Sequence, residues 1–177
     1  MAMGDDSRST LHALAPTAQS GHARHTHPLH LRQPLAAESV PPTWDHMHPV
    51  TFLDRDLSGL ADLASQPDAT LVQADLEDGS PWPLPGRRFA AVVVTNYLWR
   101  PLLPALIGAV APGGLLLYET FMRGNERFGK PGNPDFLLAP DELFERCKDA
   151  FDIRAFEQGE DNTPSPAMRQ RICAIKR

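Results

Sequence analysis

In the second part of the chain, short apolar runs end at, or contain, side chains that could recognise a ligand. Asp54 closes residues 49–54 (PVTFLD), Asp75 follows 70–74 (TLVQA), Asn96 follows 89–95 (FAAVVVT), and Glu119 lies within 115–120 (LLLYET). An acid at the end of a buried strand is where nucleotide-binding α/β sheets hold ribose hydroxyls. Its carboxylate accepts O–H bonds on either oxygen. The glycine-rich turn that accompanies such an acid is missing, because no glycine occurs between Gly21 and Gly59. Only glycine allows the backbone angles and close approach to a ligand that this turn needs.

The intervening residues define the elements that position these groups. Asp56 is placed to cap a helix with Leu57, Leu60, Ala61 and Ala64 on one face, ended by Pro67-Asp68. A proline-punctuated loop covers 77–88, and the valine-rich run 89–95 reads as a strand buried on both faces of a parallel sheet. Pro101 opens a helix through residue 110, and Pro112-Gly113-Gly114 stops it. Residues 121–138 form a long loop with Gly124, Gly129, Pro131, Gly132 and Pro134, a length usually tied to function. A short helix over 140–147, apolar at Leu143, Phe144 and Cys147, precedes two closing strands, 151–156 and 169–175. Strand and helix alternate until that last pair, whose direct link makes it antiparallel. The expected fold is α/β, an open sheet, mostly parallel, with one antiparallel edge. Ligands of such sheets bind beyond the carboxyl ends of the strands, where all four groups above fall.

Composition sets the bounds. A chain of 177 residues suits one domain, and its net charge of −5, with scattered Lys and Arg, offers no track for a nucleic-acid backbone. No apolar run reaches the ~18 residues of a bilayer span. The stretch from Leu11 to Ala15 is broken by His12 and stopped by Pro16, so it does not read as a secretory signal. Cys147 and Cys173 read as buried small hydrophobes in a reducing cytoplasm. All seven histidines lie between His12 and His48. Residues 1–48 therefore read as a His- and Pro-rich tail with a stub of helix over 35–40, and 49–177 as the domain. His22, His25, His27 and His30 could gather round zinc or nickel, but with no Cys or carboxylate among them the expectation is no metal site. A shifted reading frame or misplaced start upstream of residue 49 would explain both the change in composition and the lost glycine turn.

The order PVTFLDRD, LVQADLED, VVVTNYLWRPLLP, PGGLLLYETF and FGKPGNPDFLL resembles the class I S-adenosylmethionine-dependent methyltransferases. The last two segments are similar to a small bacterial, tellurite-resistance-like subgroup. The resemblance implies a Rossmann-like sheet closed by a reversed hairpin, with S-adenosyl-L-methionine as cofactor and a small-molecule methyl acceptor as partner. It implies that Asp54 and Arg55 hold the ribose, that Asp75 accepts from the adenine amino group, and that Leu76 lies against the ring. Asn96, Tyr97 and Leu98 would line the methionine end, and Tyr97 or Glu119 would serve as any assisting base. Trp99, Arg123 and Asn125 would face the acceptor. A plain reading stands beside several of these: Asp75 as a solvated loop acid next to Glu77 and Asp78, Trp99 as packing on the following helix, Arg123 as loop polarity. In this family the first strand lies mid-sheet, between those at Val50 and Ala91, and leads into a Gly-x-Gly turn. Here that first βα unit is missing or replaced. The alternatives to a methyltransferase are a non-catalytic binding module of the same fold and a dinucleotide-dependent oxidoreductase.

Overall fold

The structure, a computed structural model, describes residues 49–163 and 165–177 in full and residues 10–14 as backbone. In chain order the elements are β1 (Thr10–Leu14), β2 (Val50–Asp54), β3 (Ala69–Gln73), β4 (Phe89–Thr95), α1 (Leu103–Ala109), β5 (Val110–Phe121), α2 (Glu142–Cys147), β6 (Phe151–Asp161) and β7 (Ala167–Lys176). The strands form one sheet in the order β3-β2-β1-β4-β5-β7-β6. Strands β2 to β6 run in one direction, while β1 and β7 oppose them. The mostly parallel sheet with its antiparallel C-terminal strand is the architecture the sequence predicts.

Burial explains the core strands. Phe89, Val92 and Val94 of β4 have essentially no exposed surface, and Leu53 of β2 and Leu116 of β5 join them. Each such side chain contributes about 1.5–3 kcal/mol on leaving water. Leu106 of α1 and Leu143 and Cys147 of α2 complete the packed cluster. Burial pushes the Cys147 thiol up to about 11, while Cys173, on β7, is only half-buried. Among the described residues, no helix is long and apolar enough to cross a membrane.

Three local expectations change. The helix expected after Asp56 is a 3-10 segment, Ser58–Leu63, which buries none of its residues. Its backbone leaves helical angles at Leu60, and the Asp56 carboxylate accepts from the Ser58 N–H at 2.9 Å in a local turn. The Pro112-Gly113-Gly114 stop lies inside β5, which starts directly from α1 at Val110. There the register between β4 and β5 slips, and Gly113 takes φ +74°. A Cβ on Gly114 would come within 2.8 Å of the Ala111 carbonyl oxygen and 3.0 Å of that of Ala90, so only glycine fits.

The third change concerns the tail. Residues 10–14, read from sequence as part of it, form β1 and fill the mid-sheet position, antiparallel to both neighbours. The cause is the ladder itself. Two facing strands with an empty lane between them would leave rows of N–H and C=O groups unpaired, at about 1–3 kcal/mol per buried group. Thr10–Leu14 is a proline-free stretch ended shortly afterwards by Pro16, so it can donate along both edges. The expected helix stub over 35–40 and the histidines at 22, 25, 27 and 30 lie outside the described residues.

Candidate functional site at the carboxyl edge of the sheet

Strands β2 and β3 pair in parallel to their ends, Asp54 opposite Gln73, and the Ala74 N–H continues the ladder to the Asp54 carbonyl at 3.0 Å. This register brings Asp54 and Asp75 to adjacent strand ends on one edge. Each is fixed in the same way. Asp54 Oδ1 accepts from the Asp56 N–H at 3.0 Å, and Asp75 Oδ1 accepts from the Glu77 N–H at 2.9 Å. One oxygen of each carboxylate thus locks its own turn, and the other has no hydrogen-bond partner among the described residues. Arg55 is exposed beside them, and its carbonyl accepts from Gln73 Nε2 at 2.9 Å. Partial burial, then the charge of Asp75, pushes the Glu77 carboxyl up against the pull of Arg55. Leu76 is half-buried between these acids.

Tyr97, just past the end of β4, turns towards the same acids. Its hydroxyl is buried and, among the described residues, has no hydrogen-bond partner. Burial first, then the charges of Glu77 and Asp75, pushes that hydroxyl well above the ordinary tyrosine range, so it stays protonated and can donate. An orphaned buried hydroxyl costs about 1–3 kcal/mol and marks a place where a ligand group can pay that back. The main chain of Tyr97 is held from below, since the buried Tyr118 hydroxyl donates to its carbonyl at 2.8 Å. Asn96 adopts φ +52°, a backbone setting rare outside glycine and concentrated at functional turns.

Beyond β4 the edge is a charged knot. Glu119 Oε1 accepts from Arg169 at 2.9 Å and Oε2 accepts from Arg171 Nε at 2.7 Å. Arg169 also donates to Asn96 Oδ1 at 2.8 Å and lies over the Phe121 ring at 4.3 Å, while Arg171 bonds Asp161. Burial pulls the Arg169 guanidinium down, and the Glu119 charge offsets this only in part. Both oxygens of Glu119, expected as an assisting base, accept from guanidinium donors. Sequence reading missed Arg169 and Arg171. Their spacing of two on β7, with Glu119 directly opposite Arg171, is the signal that would have found them.

The long loop is tied down at two points. Arg100 donates to both oxygens of Glu142 at 2.8 Å and to the carbonyls of Asp135 at 2.7 Å and Leu137 at 2.9 Å. Burial raises the Glu142 carboxyl, but the Arg100 and Ala139 hydrogen bonds outweigh it and hold it below the ordinary range. Asn125, expected to face the acceptor, is instead fully buried. Its Nδ2 donates to the Pro131 carbonyl and its Oδ1 accepts from the Met168 N–H, both at 3.1 Å, so its amide is consumed in joining loop to β7. Leu98, expected at the methionine end, is 3% exposed and packs in the core. Trp99 is half-buried against that core, and Arg123 is exposed, with its N–H on the Leu138 carbonyl at 2.9 Å.

A sheet in this order, with a reversed strand next to the last parallel one, defines the fold of the class I S-adenosylmethionine-dependent methyltransferases. Solved structures agree. TehB from Haemophilus influenzae superposes with a TM-score of 0.55 at 17% identity, over 72% of this chain and 49% of that one. The N-methyltransferase NodS from Bradyrhizobium japonicum WM9, in complex with S-adenosyl-L-homocysteine, does so with a TM-score of 0.52 at 13% identity, over 71% of this chain and 65% of that one. The chain thus spans about half the length of the first and under two thirds of the second. No family model matches the sequence, and no curated protein sequence matches it significantly.

Half of this edge offers groups that fit a nucleoside. The paired aspartates, each with an oxygen to offer, and the unpartnered Tyr97 hydroxyl suit a ribose and an adenine. The other half does not fit: β1 is antiparallel, so its amino end, Thr10, lies level with Thr95 where the family has a strand's carboxyl end and glycine turn. A hollow of about 160 Å³ lined by Trp82, Leu84, Arg87 and Ala105 lies at the opposite edge, before β4 and β5. It is smaller than ordinary ligand pockets, and ligands of open α/β sheets bind at the carboxyl edge.

Proposed function

We propose that the protein is an S-adenosylmethionine-dependent methyltransferase of the small-molecule type, with its cofactor site at the carboxyl ends of β2, β3 and β4. The observation that carries this reading is the pair of turn-locked aspartates beside the orphaned Tyr97 hydroxyl. The fold it shares with TehB, and with NodS bound to S-adenosyl-L-homocysteine, supports it. Asp54 accepts from the ribose hydroxyls with Arg55 beside it, and Asp75 accepts from the adenine amino group over Leu76. Tyr97 donates from below, and Asn96 sets the turn that presents it. Leu98 contributes by filling the core beneath that turn.

Bound cofactor of this kind supplies an already activated methyl group. The chain's own residues bind, orient and exclude water, and alignment of this kind is worth about 7–11 kcal/mol of a barrier. Trp99 and Arg123 border the side from which a small acceptor enters. A reducing cytoplasm fits the two unpaired cysteines.

A second reading, a non-catalytic binding module, is favoured by one observation, the antiparallel course of β1. Binding and turnover separate the two. Calorimetric titration of the full chain with S-adenosylmethionine and S-adenosylhomocysteine is expected to give dissociation constants of about micromolar order. Release of S-adenosylhomocysteine during incubation with small-molecule acceptors supports the enzyme, and binding without release supports the module. No heat with either compound, or binding of a nicotinamide dinucleotide instead, overturns both.

A further inference from the structure

The two halves of the carboxyl edge are built to different standards. Around β2 and β3 the parallel ladder runs to the last residue, two Asx turns fix two carboxylates, and the buried Tyr97 hydroxyl, within the field of Glu77 and Asp75, has no partner among the described residues. These groups accept from hydroxyl and amino hydrogens, which are what a ribose and an adenine present. Around β1 and β4 the features that bind an amino-acid tail are not met by the described residues. The chain runs inward along β1 from this edge, Thr10 beside Thr95 and Leu11 beside Leu53. It leaves β1 at Leu14, level with Val50 and Ala91, at the amino edge. The chain therefore leaves β1 and enters β2 at the amino edge, away from the strand ends that carry Asp54 and Asp75.

Charge argues the same way. The tail of S-adenosylmethionine carries a carboxylate beside its ammonium group, and the edge that receives the nucleoside carries Asp54, Asp75 and Glu77, so the carboxylate meets like charge, with the exposed Arg55 pulling against it at Glu77. Arg169, the half-buried cation next along the edge, already donates from one nitrogen to both Asn96 and Glu119. Among the described residues, a tail carboxylate thus meets neither a row of N–H donors nor an uncommitted buried cation.

We propose that this edge recognises adenine nucleosides as such: ribose and adenine supply the affinity, and the amino-acid tail of the cofactor adds none. The ligand class is an adenine nucleoside with an uncharged 5′ substituent, for which 5′-methylthioadenosine is the probe. The proposal rests on the roles given above to Asp54 and Asp75.

The experiment is calorimetric titration of the full chain with 5′-methylthioadenosine, S-adenosylhomocysteine and adenosine 5′-monophosphate, repeated on Asp54→Asn. The expected result is that the first two bind within about threefold of each other and the monophosphate about tenfold or more weakly, because its charge faces the acids. Asp54→Asn, which removes a charged acceptor from the ribose, is expected to weaken the first two about tenfold or more alike. S-adenosylhomocysteine binding about thirtyfold or more above 5′-methylthioadenosine overturns the inference while leaving the site itself standing. No binding by any of the three, or binding that Asp54→Asn leaves unchanged, overturns the site and the inference together.

Discussion

Replacing Arg100 with methionine tests how the long loop is held. The guanidinium makes two charge-assisted bonds to Glu142 and one to each of the Asp135 and Leu137 carbonyls. A hydrogen bond to a charged group contributes about 1.5–3 kcal/mol net. The Arg100 side chain is 32% exposed against 11% for Glu142, so solvent screens part of that and the lower end applies. Methionine keeps most of the aliphatic stem, leaving the loss of the head group and the stranding of a largely buried carboxylate. The expected destabilisation is about 2–3 kcal/mol by urea unfolding, or roughly 5–10 °C in Tm for a chain of this size. In a double-mutant cycle with Glu142→Gln the coupling should reach about 1.5 kcal/mol. The Arg123 and Leu138 amides, which clip the loop base to Leu138 and Phe121, should lose hydrogen-exchange protection well before global unfolding. Coupling below about 0.5 kcal/mol, or protection lost only with the whole domain, would refute the idea that Arg100 organises the loop.

Tyr118→Phe keeps the ring but strands the Tyr97 carbonyl, which should cost about 1–3 kcal/mol in urea unfolding and weaken cofactor binding through a loosened turn. Gly114→Ala should be more damaging than Gly113→Ala in thermal melts, because its Cβ would meet backbone oxygens while that of Gly113 meets only its own unfavourable φ. The Glu142 carboxyl is lowered in the folded chain, so its stabilisation is complete above its ordinary value of 4.5 and is lost as pH falls through the lowered one. Glu142→Gln should therefore flatten the acid limb of a stability-against-pH curve below about pH 4.5, and a curve parallel to wild type would count against the assignment.

Much of the sheet was legible because local pattern and burial agree. The run FAAVVVT became β4, whose Phe89, Val92 and Val94 have almost no exposed surface, and the two closing segments became the antiparallel pair β6 and β7. The acids at strand ends were legible for the same reason, since a strand's last residue is set by where the apolar run stops. What failed to show was non-local. Nothing in TLHAL distinguishes it from the residues around it, and its place as β1 comes from the pairing needs of β2 and β4, far along the chain. The segment after Asp56 has apolar residues at helical spacing, but two of the four are alanines, and Gly59 weakens the helix they would make. The sequence suggests Asn125 facing an acceptor and Glu119 as an assisting base, with no sign of their protein partners. Their partners, Met168, Arg169 and Arg171, lie on a strand some fifty residues away, and only the β5–β7 register brings them together.

The most direct test of where the ligand sits is an amide chemical-shift map of the full chain titrated with S-adenosylhomocysteine. The largest shifts should fall on Asp56 and Glu77, whose N–H groups bond the two aspartates, and on Tyr97. Shifts centred on Trp82, Leu84 and Arg87 at the opposite edge, with Asp56 and Glu77 unmoved, would contradict it.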